Sequence, residues 1–156
     1  MKSLIALCIM TFATITANAD VHEHFDPNKL EENETLRISG HQFGCFNRTR
    51  LPEITITRST VSAVGIPASP LSTSDIEALN RYIRAVSTHG ESGGCTTVNH
   101  YHLRKFHGSE LVAESELTDR SCLLALRAIG KWPPKSSEHP TGEWLTPEMI
   151  YEAISN

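Results

Sequence analysis

The chain has 156 residues and a formal net charge of −4 at pH 7, with 14 Lys and Arg against 18 Asp and Glu. This length fits one folded domain with a single core rather than two domains. The mild acidity disfavours nucleic acid as a partner, because phosphate binding needs a concentrated basic surface.

The amino-terminal stretch has the layout of a secretory signal peptide. A short basic start precedes an uncharged apolar run over residues 4–15, and Ala17-Asn18-Ala19 matches a cleavage site. The run is too short to span a bilayer and no later stretch is better, so we expect no membrane anchor. Residues 1–19 are therefore predicted to be removed, leaving an exported protein, periplasmic or secreted, that begins at Asp20.

Residues 20–33 are polar and charged, and Asp26-Pro27 interrupts any regular element, so this segment is predicted to be a mobile leader. A single domain is expected over residues 34–156. Its first strands are predicted at Thr35–Ser39 and Glu53–Arg58, where apolar and polar residues alternate. Thr60–Val64 either continues the second strand or forms its hairpin partner.

A loop and then a helix are predicted in the middle of the chain. Two prolines and a glycine mark residues 65–70 as a loop. The helix is predicted to start at a capping box of Ser74 and Glu77 and to end at Gly90 in a left-handed C-cap. Its apolar residues recur at helical spacing and are expected to face the core: Ile76, Leu79, Ile83 and Val86.

A β-hairpin is predicted next, with strands Thr96–Phe106 and Glu110–Leu117 joined by the three-residue loop His107-Gly108-Ser109. The register that places Phe106 opposite Glu110 separates a largely apolar face from a polar one, and we prefer it for that reason. On the polar face this register pairs His102 with Glu114 and His100 with Glu116.

Two more helices are predicted in the last part of the chain. One runs from about Asp119 to Ile129, and a short one opens at Thr146 as N-cap, with Pro147 and Glu148 in its first turn. The order of elements predicts a small α+β domain, a mainly antiparallel sheet with two or three helices packed on it.

Three cysteines remain after the predicted cleavage: Cys45, Cys95 and Cys122. In an oxidising compartment at most one intramolecular disulfide forms from three. Cys95 and Cys122 flank the hairpin almost symmetrically, so we expect this pair, with Cys45 bonded to either of them, or no bridge at all, as the alternatives. A leftover Cys45 is either an inert buried thiol or the nucleophile of a thiol-dependent hydrolase.

Metal binding is a second open hypothesis. Cleavage after Ala19 would expose Asp20-Val21-His22, which resembles the amino-terminal Cu(II)/Ni(II) motif formed by the amine, two amides and a histidine imidazole. Apart from Cu or Ni at Asp20 and His22, no cofactor is expected. For the His/Glu face of the hairpin we favour ordinary charge pairs over a metal site, because an uncovered sheet face lacks supporting contacts.

The sequence has no G-x-S-x-G elbow, phosphate-binding glycine loop or H-E-x-x-H helix, which favours a role without catalysis. Its general profile is similar to that of periplasmic inhibitors and immunity proteins. We therefore expect a protein-binding module that blocks a toxin or a cell-wall-lytic enzyme, with the thiol hydrolase and the metal-binding protein as alternatives. The expected contact residues lie in the hairpin: His107, Gly108, Ser109, Glu110, Glu114 and Glu116. The loop Ile66–Ser72 is a further candidate.

Overall fold

A computed structural model of the protein describes residues 18–44, 48–91, 95–121 and 145–156. Its sheet has six strands, all paired antiparallel, in the order β4-β3-β2-β1-β5-β6. The predicted α+β class is confirmed. The elements in chain order are α1 (Asn18–His24), a 3-10 helix (Pro27–Lys29), β1 (Glu34–Phe43), β2 (Arg48–Ile56), β3 (Thr60–Ala63), β4 (Ile66–Pro70), α2 (Thr73–His89), β5 (Val98–His107), β6 (Glu110–Asp119) and α3 (Pro147–Ser155).

One face of the sheet builds the core. Side chains on a strand alternate between the two faces, and in β1 Leu36 and Ile38 are fully buried on the inner face. Their partners on β2, Ile56 and Ile54, are buried beside them. Burying each such side chain contributes about 1.5–3 kcal/mol. The predicted stripe of α2 is confirmed, since all its members are buried: Ile76, Leu79, Ile83 and Val86.

The segment 20–33 differs from its prediction as a mobile leader. It contains most of α1 and the 3-10 helix, and it contributes Val21, Phe25 and Leu30 to the core. Val21 and Phe25 are four residues apart and therefore share one face of a helix. Asp26 does not merely break structure, because its carboxylate accepts a hydrogen bond from the Asn28 amide and caps the 3-10 helix.

The stretch predicted as a loop at 65–70 is instead the strand β4, and β3 is the hairpin partner of β2. Gly65 lies at φ +80° in the turn between β3 and β4. Pro67 and Pro70 have no amide hydrogen to donate. Because β4 is an edge strand, they interrupt no hydrogen bonding between interior strands of the sheet.

The N-cap of helix α2 lies two residues earlier than predicted. The capping box is formed by Ser72 and Asp75, not by Ser74 and Glu77. Gly90 does not adopt the predicted left-handed cap, since its φ and ψ are −59° and −34°. Glycine is needed there for space, because a Cβ at this position would lie 2.2 Å from the Thr118 carbonyl oxygen.

At the carboxyl end, Thr146 caps α3 and Pro147 occupies its first turn, as predicted. The helix predicted from Asp119 falls mostly outside the described residues, and Asp119 itself ends β6. The predicted signal peptide also falls mostly outside them. The cleavage site after Ala19 lies within α1.

Candidate partner-binding surface

The β5–β6 hairpin carries the predicted contact residues, and its tip is held against the rest of the sheet. His107 pairs with Glu110, so the turn consists of Gly108 and Ser109, with Gly108 at φ +58°. The Gly108 amide donates a 2.8 Å hydrogen bond to the Asn33 carbonyl oxygen. The tip is therefore exposed, but Gly108 is hydrogen-bonded to the residue that precedes β1.

The register of the hairpin differs from the prediction by two residues along most of its length. Leu103 pairs with Ser115 and His102 pairs with Glu116. The two-residue turn shifts the register by one, and an irregularity between Lys105 and Phe106 adds one more residue on β6. A shift of two keeps the side chains from Ala113 to Leu117 on their predicted faces, whereas the shift of one beside the turn moves Glu110 and Leu111 to the opposite faces. The separation into an inner apolar face and an outer His/Glu face is thus correct, although the predicted partners are wrong.

One predicted contact of the outer face survives the shift as a diagonal one. The His102 Nε2 atom lies 2.8 Å from a Glu114 carboxylate oxygen, although Glu116 is the direct cross-strand partner of His102. His100 instead pairs with Thr118, whose hydroxyl lies 3.3 Å from the His100 Nδ1 atom. Within the described ranges, no cation lies at ion-pair distance from Glu110 or Glu116.

Strand β6 forms an edge of the described sheet and exposes two large apolar side chains there. Leu111 and Val112 are 46% and 49% exposed, and they follow Glu110 directly. The opposite edge, β4, carries two prolines that block strand pairing. β6 carries no proline, and among the described residues no strand pairs with its outer edge, which favours this edge for pairing with another chain.

Cu(II) or Ni(II) binding at Asp20 and His22 stays a prediction, because cleavage after Ala19 would create the amine that it requires. Asp20 and His22 lie in α1, and Val21, between them in the sequence, packs into the core. A square-planar set of amine, amide and imidazole nitrogens would require this turn to unwind, so copper binding would compete with packing of α1. Across the described part of the chain there is no group of three or more His, Cys, Asp or Glu side chains placed to hold a metal.

Of the three cysteines, only Cys95 lies within the described residues. Its amide donates a 3.3 Å hydrogen bond to the Arg120 carbonyl oxygen, and the Arg120 amide donates to the Gly90 carbonyl oxygen at 2.8 Å. These bonds bring the start and the end of the hairpin side by side. Cys45 and Cys122 are outside the described ranges, so the pairing of Cys95 with Cys122 and a reactive Cys45 stay predictions.

Behind the hairpin lies a buried chain of polar side chains that the sequence did not indicate. The Tyr82 hydroxyl of α2 lies 3.0 Å from the Tyr101 hydroxyl of β5 and donates to Asp119 of β6 at 2.8 Å. The Tyr101 hydroxyl reaches both carboxyl oxygens of Glu148 in α3, at 2.9 and 3.0 Å. This hydroxyl chain joins two helices to the two hairpin strands.

The protons of this chain can be counted. It has three links, Asp119–Tyr82, Tyr82–Tyr101 and Tyr101–Glu148, but the two hydroxyls supply only two hydrogens. Asp119 also accepts bonds from the Ser121 amide and hydroxyl, so it is satisfied as a carboxylate. Burial first, and then the charge of Asp119, raises the pKa of the Glu148 carboxyl. With both carboxyls ionised, the two hydrogens serve Asp119 and Glu148, and a proton on Glu148 would supply the third link.

The two tyrosines remain neutral in this arrangement. Burial raises the pKa of both phenols well above the usual range, and nearby carboxylates raise it further. Both hydroxyls therefore act as hydrogen-bond relays and not as bases. The hydroxyl chain is a structural support that holds α2 and α3 against β5 and β6.

Comparison with known proteins found no matching family model, no matching curated protein and no matching solved structure. None of the described helices is long and apolar enough to cross a membrane. The candidate surface is therefore assigned from its own geometry alone.

Proposed function

We propose that the protein is an exported protein-binding module, acting in the periplasm or after secretion as an inhibitor or immunity protein. The observation that carries this proposal is the edge of β6, where exposed Leu111 and Val112 adjoin the carboxylates of Glu110 and Glu114. Adjacent exposed apolar side chains on an open strand edge are typical of interaction sites, since isolated proteins usually protect such edges. Export is supported by the signal-peptide pattern of residues 1–19.

The proposed mode of action is steric blockage. The tip formed by His107, Gly108 and Ser109 enters a cleft of the partner, while Glu110 and Glu116 face a basic patch. The anchoring of the tip supports this mode, because a loop that is already held in place loses less conformational entropy on binding. Lys105 and Glu34, 2.8 Å apart, add a second tie between β5 and β1 close to the tip.

A disulfide between Cys95 and Cys122 is part of the proposal. It is supported by the hydrogen bond from the Cys95 amide to the Arg120 carbonyl oxygen, which places Cys95 opposite a residue two positions before Cys122. The bridge would close the base of the hairpin and keep the binding edge in one conformation. In an exported protein such a bond is stable against reduction.

The proposal is tested by charge reversal on the mature protein. The double variant Glu110→Lys/Glu116→Lys should lose a stoichiometric partner that the unaltered protein retains from cell-envelope extract. The matched control Glu77→Lys/Glu152→Lys makes the same change in net charge on exposed positions of α2 and α3 and should retain the partner. Equal retention by both variants, or equal loss by both, would contradict a hairpin-directed interaction.

A further inference from the structure

A cluster of basic and aromatic side chains lies on the outer face of the sheet, at the end away from the hairpin tip. It consists of His41, Phe43, Arg48, Arg50 and His100, and we call it the basic cluster. Cross-strand pairing brings its members together: Phe43 faces Arg48, and His41 lies between Arg50 on one side and His100 on the other. His41, Arg50 and His100 share a face through direct pairing, and Phe43 and Arg48 lie on that face because they are two residues along the same strands.

The side chains of the basic cluster hold one another in place. The Arg48 guanidinium lies 4.9 Å from the centroid of the Phe43 ring, within cation–π distance. The His100 ring meets Phe43 edge to face at 5.4 Å, and the His41 ring lies 6.2 Å away. Phe43 nevertheless remains 38% exposed. An aromatic surface beside arginine and histidine side chains is thus presented to solvent on the outer face of the sheet.

The arginines of the basic cluster differ in charge balance from the other arginines of the outer face. Arg37 and Arg104 both contact the carboxylate of Glu53, which neutralises part of their charge. Within the ranges that the structure describes, no carboxylate lies at ion-pair distance from Arg48 or Arg50. Being two residues apart on β2, these guanidiniums are anchored about 7 Å from each other on one face. As far as the described residues go, their hydrogen-bonding capacity is available to an anion.

We propose that the basic cluster binds a short acidic oligosaccharide. A guanidinium binds a carboxylate, sulfate or phosphate group through two parallel hydrogen bonds. Between such groups, the apolar C–H face of a sugar ring can lie against the electron-rich ring of Phe43. A flat, open sheet face suits such a ligand better than a deep pocket would. This site lies at the opposite end of the face from the proposed hairpin contact and is independent of it.

The charge of the remaining molecule argues for a short ligand. The chain carries a net charge of −4, and Glu114 and Glu116 lie on the same outer face as the basic cluster. A long polyanion or an anionic membrane would extend over these carboxylates and be repelled, whereas two or three sugar units would not.

The test is titration of the isotope-labelled mature protein, followed by amide chemical shifts. The probes are trigalacturonate, a sulfated heparin tetrasaccharide, uncharged maltotriose, inorganic phosphate, and vesicles containing phosphatidylglycerol. We expect saturable shifts at residues 41–43, 48–50 and 100 with at least one of the two acidic oligosaccharides, and weaker or no binding of maltotriose and phosphate. The variant Arg48→Ala/Arg50→Ala should bind at least tenfold more weakly.

Matched variants separate a site from a general charge effect. Arg58→Ala/Arg84→Ala removes the same charge from exposed positions elsewhere and should leave the affinity unchanged. Phe43→Ala should weaken binding although it changes no charge. The proposal is overturned if neither acidic oligosaccharide gives saturable shifts in the basic cluster, if both arginine pairs behave alike, or if phosphate or the vesicles bind as tightly as the sugars. Hairpin variants that fail to bind a protein partner would not affect this result.

Discussion

Replacing Glu148 by Gln tests whether a proton on the Glu148 carboxyl stabilises the hydroxyl chain. A Gln amide donates a hydrogen bond to Tyr101 at every pH, as the protonated carboxyl does, so Glu148→Gln should imitate the acid form permanently. The pKa of Glu148 is raised in the folded state. At pH values between the unfolded pKa, about 4.3, and the folded pKa, the folded protein therefore binds more protons than the unfolded chain. Its stabilising contribution is therefore complete below about pH 4.3 and is lost as the pH rises through the folded pKa.

The magnitude follows from linkage. One proton taken up on folding changes the free energy of unfolding by at most about 1.4 kcal/mol per pH unit. Urea unfolding of both proteins, followed by far-ultraviolet circular dichroism from pH 4 to 8, gives the difference between their stabilities. We expect the unaltered protein to lose stability relative to Glu148→Gln as the pH rises. A difference that is constant with pH would refute a raised pKa of Glu148 in the folded protein.

Two further points make this comparison specific. Burial alone would raise the pKa of Glu34, but the hydrogen bond from Lys105 and its charge lower it, so this group stabilises the fold above its unfolded pKa and loses its contribution as the pH falls. That opposite trend is common to both proteins and cancels in the difference. Tyr101→Phe removes the middle of the hydroxyl chain and leaves Glu148 without its partner, which should cost about 1–3 kcal/mol.

Three other predictions concern the fold. Phe25→Ala should lower the free energy of unfolding by about 3–5 kcal/mol because Phe25 is a buried core residue; a loss under about 1 kcal/mol in urea unfolding would contradict the packing of residues 20–33 against the core. Gly90→Ala should cost about 1–3 kcal/mol, since the added Cβ would overlap the Thr118 carbonyl oxygen, and an unchanged urea midpoint would contradict this close approach. Cys95→Ser and Cys122→Ser should each lower the melting temperature of the oxidised protein to the same extent, with no further loss in the double variant, corresponding to about 3 kcal/mol; additive losses would exclude this disulfide.

Features set by local periodicity were predictable from the sequence. The apolar stripe of α2 and the cap of α3 depend on residues a few positions apart, and both are as predicted. The faces of the hairpin were also predictable, because alternation fixes which side chains share a face. Its register was not, since the turn at Gly108-Ser109 and the irregularity beside Lys105 depend on how the whole hairpin packs.

The parts that sequence reasoning missed depend on long-range contacts. Asp26-Pro27 resembles a break, yet the core contacts of Val21 and Phe25 determine the structure of this segment. In the hydroxyl chain, Tyr101 and Glu148 are 47 residues apart. One signal was present: Asp119 lies two residues after Leu117, which places a carboxylate on the apolar face of β6 and calls for a buried partner.

Binding of a protein at the edge of β6 can be detected by site-specific photo-crosslinking. A photoreactive residue is placed at Val112, and a control at Val64, which is 84% exposed in the turn between β3 and β4. In cells that produce the protein naturally, we predict one covalent adduct with a protein partner from position 112, absent from position 64 and reduced by excess unlabelled protein. No adduct at position 112, or the same adducts from both positions, would contradict a binding edge on β6.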